Sequence, residues 1–275
     1  MHNALAVDLE EWHSNDFLTG YLPEEKEDQI VESVIPLMAL LDSYRTRATF
    51  SVLGTVAERH PDLIRKIYDR GHEIASHACS HRTLHELGRD KFEQEIVRSV
   101  RMLEAITGEK PIGFRAPNFS INHSTAWAFD ILERHGFRYD ASIFPLKTTL
   151  YGVPEAPLGI YRPSRANIAK HDPEGRIVEF PATVLKLGVK VPISGGFYLR
   201  LLPRDFLKWG IERVNRTRPA ILYIHPWELY PRTPRLQMPA INRFEAYCGI
   251  NSSMNKLEAL LNAFEFRPIR DVLFG

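Results

Sequence analysis

Ala4-Leu5-Ala6-Val7-Asp8-Leu9-Glu10-Glu11 is the stretch whose reading decides the fold. An apolar run this short, stopping abruptly at acids, reads as a buried strand whose C-terminal end carries polar groups. Side chains alternate along extended backbone, so Asp8 and Glu10 point one way and Glu11 the other. A solvated strand end is the ordinary explanation for such acids; a carboxyl pair on an otherwise buried strand is less common.

Outward from this strand the chain alternates. Periodicity predicts a helix over 29–44, an apolar strand over 48–53, a helix from 55 to near 71, and a short strand at Glu73-Ile74-Ala75-Ser76. A helix over 90–106 follows, with Phe92, Ile96, Val100 and Leu103 at helical spacing and Gly108 just beyond. Next come a strand at 112–114, a helix over 124–135 and a strand at 137–139. Beyond Ser142 six prolines, from Pro145 to Pro181, leave loops and short strands. Regular structure returns with a helix over 203–216, the apolar strand 220–224 and a last helix over 252–264. Strands alternating with helices pair in parallel through crossovers, so the fold class is α/β, either a barrel or an open doubly wound sheet. With no repeat and no low-complexity linker, residues 1–275 read as a single domain.

Bulk properties exclude several function classes. At 275 residues, 44% hydrophobic and 25% charged, the composition is that of a chain folded throughout. Thirty-five Lys and Arg against 34 Asp and Glu, with no long basic run, argue against a nucleic-acid partner. Cys79 and Cys248 form neither a disulfide framework nor a CxxC pair, which suits a reducing compartment. The first residues lack the basic-then-apolar form of a secretory leader, and no apolar run reaches the ~18 residues of a membrane span. A cytoplasmic location is expected.

The chemistry gathers at strand ends. His77 and His81 in Ser76-His77-Ala78-Cys79-Ser80-His81 stand four apart, a spacing that on a helical turn lets both imidazoles reach one cation. In parallel α/β sheets, sites form at the C-terminal strand ends, so Asp8 and His77 from different strands share one mouth. Two histidines, one carboxylate and open positions make a hydrolytic metal site. Asp8 is then the natural base. His225, in Tyr223-Ile224-His225-Pro226-Trp227, is placed to be the acid, since its ordinary pKa of ~6.5 lets it hold a proton near neutrality.

At this point an ordered set of motifs resembles a known family. Gly71-His72-Glu73-Ile74-Ala75-Ser76-His77 with His81, Arg115-Ala116-Pro117-Asn118-Phe119, Tyr139-Asp140-Ala141-Ser142 and Ile224-His225-Pro226-Trp227 are similar, in order, to motifs of the polysaccharide deacetylase (NodB-homology) family. Asp8-Leu9-Glu10-Glu11 stands where that family has its acidic motif. Thr49-Phe50-Ser51-Val52-Leu53-Gly54, Gly195-Gly196-Phe197-Tyr198 and Pro226-Trp227-Glu228 resemble the subgroup encoded with exosortase-type exopolysaccharide clusters. The resemblance implies a distorted (β/α)7 barrel and removal of N-acetyl groups from acetamido sugars of an acetylated glycan or its precursor. It implies His77 and His81 as ligands of a divalent metal, zinc being expected, Asp8 as base, Arg115 orienting Asp8, His225 as acid and Asp140 in the His225 proton network. A backbone N–H just after Pro117 would stabilise the oxyanion, and Pro117, Asn118 and Trp227 would contact substrate. The family's acidic motif has two adjacent aspartates, so base and ligand are reassigned here. Strand alternation favours Asp8 as base and Glu10 as ligand, the alternative being Glu10 as base and Glu11 as ligand. Tyr151, Phe197 and Tyr198 are candidate sugar platforms. The rival readings are an O-acetyl esterase, a non-sugar amidase, and a silent carbohydrate-binding homologue.

Overall fold

The computed structural model describes residues 1–148 and 151–275. Its first strand, β1 (Asn3–Leu9), is buried at every position, as a strand flanked by others and covered on both faces must be. β2 (Thr49–Val52), β3 (Glu73–Ser76), β4 (Gly113–Phe114), β5 (Tyr139–Asp140) and β6 (Val178–Glu179) follow in parallel, each paired with the one before. The antiparallel hairpin of β7 (Val184–Leu187) and β8 (Val189–Pro192) stands apart. β9 (Ile221–Ile224) then returns to pair with β1, and β10 (Phe266–Arg267) adds beside the start of β1. The wall therefore runs β9-β1-β2-β3-β4-β5-β6, the seven parallel strands of a distorted (β/α)7 barrel. Distortion shows in β4, β5 and β6, two residues each. Between β6 and β9, side chains replace a ladder: Thr183 Oγ1 accepts from Ile221 N at 2.7 Å, and Ser194 Oγ donates to Ile221 O at 2.7 Å.

The helices pack outside the strands and agree with the sequence reading where local signals were strong. Ile30–Ser43, Arg204–Val214 and Ile250–Ala263 each fall within two residues of expectation. The helix expected from 55 to 71 is two, Gly54–Arg59 and Pro61–Asp69, because Pro61 cannot continue a helix but starts one readily. The helix expected from 90 begins at Leu84 behind a Thr83/Glu86 capping box, and bends at Gly88, whose φ of 67° only glycine adopts easily. Ala240–Tyr247, β10 and Ile269–Phe274 were not anticipated. No helix among the described residues is long and apolar enough to cross a membrane.

The barrel floor is polar but fully engaged. Glu73 Oε2 accepts from Thr49 Oγ1 at 2.5 Å and from Arg270 N at 3.1 Å, and its Oε1 accepts from Tyr139 Oη at 2.9 Å. Ile269 N donates to Thr49 Oγ1, so the last helix is latched to the floor. Tyr139 lies directly against Gly113, where a Cβ would overlap the phenol ring. Gly113→Ala should therefore overpack a site that cannot yield, lowering stability by about 1–3 kcal/mol. Scanning calorimetry would register the loss as a lower Tm, and an unchanged Tm would contradict this packing.

Candidate active site

Each candidate side chain leaves the C-terminal end of a strand. Asp8 is the second-last residue of β1 and Glu10 follows the strand; His77 follows β3, Arg115 follows β4, and His225 follows β9. Together they line a cavity of about 130 Å³. Asn118, Tyr151, Phe197 and Trp227 also face it, and Asn15, Asp16 and Phe17 form a rim from the segment after β1. Pro117 is buried outside this lining, because it opens the tight turn Pro117–Phe119 and its carbonyl accepts from Ser120 Oγ. Tyr198 packs edge-on against Phe197 and is not in the lining either.

Glu10, His77 and His81 converge, with ligand atoms all within 4.8 Å of one another. Glu10 Oε2 is 2.5 Å from His81 Nε2 and 3.6 Å from His77 Nε2. The histidines do not share a helical turn, contrary to the spacing argument. Residues 77–81 form a loop in which Ala78 and His81 are left-handed, at φ 59° and 54°. Neighbouring groups hold that backbone: Cys79 N and Ser80 N donate to Glu95, while the carbonyls of Ala78 and Cys79 accept from Gly54 N and Thr55 N at the start of the Gly54–Arg59 helix. Gly54 is required there, since a Cβ would overlap Cys79.

The donor set fits a divalent metal. His77 Nδ1 lies 2.7 Å from the Arg115 carbonyl, which can only accept, so Nδ1 carries a hydrogen and Nε2 is the nitrogen left facing Glu10. A histidine held this way presents Nε2 as a metal-ligand atom. Burial opposes charge on Glu10, yet His81 and His225 outweigh it and hold its carboxyl well below the usual range. Burial likewise opposes charge on His81, and Glu10 reverses that, raising it. Glu11 faces elsewhere: Arg59 donates to it at 2.6 Å, in a cluster with Asp28 and His60.

Asp8 is the most constrained acid. Arg115 Nε donates to its Oδ2 at 2.6 Å, while Oδ1 is buried with no hydrogen-bond partner among the described residues. Arg115 is fixed in turn by Ala141 O at 2.8 Å and by the rings of Phe119 and Tyr223, 4.6 and 4.2 Å from its guanidinium carbon. His225 Nε2 lies 3.7 Å from Asp8 and 3.5 Å from Glu10. Burial disfavours the imidazolium, but Glu10, Glu228 and Asp8 prevail and raise its pKa to about 9.

Asp140 does not join His225. Its carboxylate accepts from Ser142 Oγ at 2.5 Å and meets the buried Glu179. Burial pushes both carboxyls up, Glu179 the further, so the pair keeps a proton. The group on His225 is Glu228, 2.7 Å from Nδ1 and unassigned by the sequence reading. Its signal was present: a glutamate three residues after His225, behind Pro226, is the form of a capped turn.

Comparison with known proteins agrees with the fold. Residues 26–139 match the polysaccharide deacetylase family, and residues 141–274 match a domain of unknown function (DUF3473). The chain is 32% identical over 154 residues to the peptidoglycan deacetylase-like protein FGM2 of Gibberella zeae, covering 53% of this chain and 45% of that protein. It is 29% identical over 144 residues to a peptidoglycan deacetylase of Helicobacter pylori, covering 50% and 48%. The matched part thus spans about half the length of these relatives. A solved probable polysaccharide deacetylase from Pseudomonas aeruginosa PAO1 shares the fold at a TM-score of 0.63 and 15% identity, over 98% of this chain and 89% of that one. The polysaccharide deacetylase match covers residues 26–139, less than half of the chain.

Metal content provides a direct check on the donor set. Purified protein titrated with Zn²⁺ should bind a single ion, His81→Ala and Glu10→Gln should lose it, and Glu11→Gln should retain it. Metal lost from Glu11→Gln but kept in Glu10→Gln would reverse the assignment.

Proposed function

We propose that this protein is a metal-dependent deacetylase that removes N-acetyl groups from acetamido sugars of a glycan or its precursor. The observation that carries the reading is one cavity in which Glu10, His77 and His81 converge beside an Arg115-held Asp8 and an inward-facing His225. A divalent ion, zinc by preference, held by Glu10, His77 and His81 would lower the pKa of water and polarise the acetamide carbonyl. Asp8 takes a proton through Oδ1, its unpartnered oxygen, while Arg115 holds Oδ2 and keeps the carboxylate aimed. His225 donates a proton from Nε2 to the departing amine. Trp227, stacked on the His225 ring at 5.5 Å, blocks its rotation, and with Asn118, Tyr151 and Phe197 it forms the wall a sugar meets. The first and last parts of this machinery come from opposite ends of the chain onto one sheet, which supports residues 1–275 acting as one domain.

The reading is tested by acetate release from N-acetylglucosamine oligomers, beside an O-acetylated sugar, with metal-loaded protein. Wild type should release acetate from the amide, and Asp8→Asn and His77→Ala should each lower kcat/KM by about 100-fold or more. Release from the ester alone would replace the reading with an esterase. Release from neither, or activity undiminished in both variants, would overturn it.

A further inference from the structure

The proton that His225 delivers depends on how its ring is held, and the ring is held by a buried arrangement outside the matched deacetylase segment. Glu228 Oε2 lies 2.7 Å from His225 Nδ1 and also accepts from His225 N at 3.3 Å. A carboxylate against Nδ1 leaves Nε2 as the nitrogen facing the cavity. The other oxygen, Oε1, accepts from Arg200 Nε at 3.0 Å. Arg200 is itself immobilised, donating to Cys248 O at 2.8 Å and Glu245 O at 3.1 Å, and both side chains of the pair are at most 3% exposed. On the remaining side stands Gly196, where a Cβ would overlap the Glu228 carboxylate. Asp140 is committed to Ser142 and Glu179, and no hydrogen bond or ion pair among the described residues joins it to His225.

We propose that Glu228, clamped by Arg200 and seated against Gly196, is the positioning residue that sets the tautomer and direction of His225, in place of Asp140. Glu228 lines the cavity beside His225 and acts through it. This inference rests on the deacetylase reading, in which the C–N bond breaks as His225 Nε2 gives its proton to the nitrogen. An amine cannot leave without that proton, whereas 4-nitrophenolate can.

The test compares an N-acetylglucosamine oligomer with 4-nitrophenyl acetate, using metal-loaded wild type, Glu228→Gln and Gly196→Ala. Gly196→Ala leaves the carboxylate chemically intact but displaces it, so it reports on placement. Both variants should lose about 100-fold or more in kcat on the oligomer, with KM within about threefold and ester hydrolysis within about threefold of wild type. Bound metal and Tm are measured on the same samples, and a variant that loses either is replaced by Glu228→Asp, expected to show a partial loss on the amide alone. Equal losses on both substrates, or none on the oligomer, overturn the positioning role. A wild type that cleaves the ester but not the oligomer overturns the N-deacetylase reading while leaving the clamp testable on acetate esters of progressively poorer leaving groups. Inactivity of the wild type on every substrate overturns both.

Discussion

Five carboxyl groups, those of Asp8, Glu10, Asp140, Glu179 and Glu228, surround the strand ends at no more than 3% exposure. A buried anion persists only if it is paired or protonated. Both answers are used. Arg115 neutralises Asp8, and Arg200 with His225 neutralises Glu228. Asp140 and Glu179 retain a proton between them. Glu10 alone has only imidazoles for partners. The arginines are thus conditions of folding as much as of activity, since removing one member of such a pair costs roughly 3–5 kcal/mol.

The sequence carried the frame of this arrangement. A strand ending in acids, alternating elements and histidines after other strands sufficed to place Asp8, Glu10, His77 and His225 at one mouth, and the family resemblance added Arg115. What it misjudged was local conformation. His77 and His81 meet through a loop with two left-handed residues, a shape fixed by Glu95 and by the Gly54–Arg59 helix rather than by spacing. The two-residue strand β6 has no periodicity to detect. Asp140 was given a role by motif order, yet the partner of His225 is decided by distance, and Glu228 is three residues away.

The boundary between the two matched segments falls at Asp140, which neither includes, while the cavity ignores it. Asp8 and Glu10 precede the first segment, His77, His81 and Arg115 lie within it, and His225, Glu228, Phe197 and Trp227 lie within the second. Asp8 shares strand β1, by pairing, with both. The second segment therefore supplies eight of the twenty residues that line the cavity and the whole of the His225 clamp.

β1 also has a history in the life of each molecule. It precedes β2 to β10 in the chain, and one of its edges is closed by β9, with Asn3 Oδ1 accepting from Ala220 N across 217 positions. During synthesis a largely apolar strand, polar only at Asn3 and Asp8, thus waits, half-paired, until residues 221–224 emerge. Contacts of such separation form slowly, and an open hydrophobic edge is a template for association with other chains. The acids that end β1 give this exposed segment charge while it waits, so Asp8, Glu10 and Glu11 guard the nascent chain before they belong to any site.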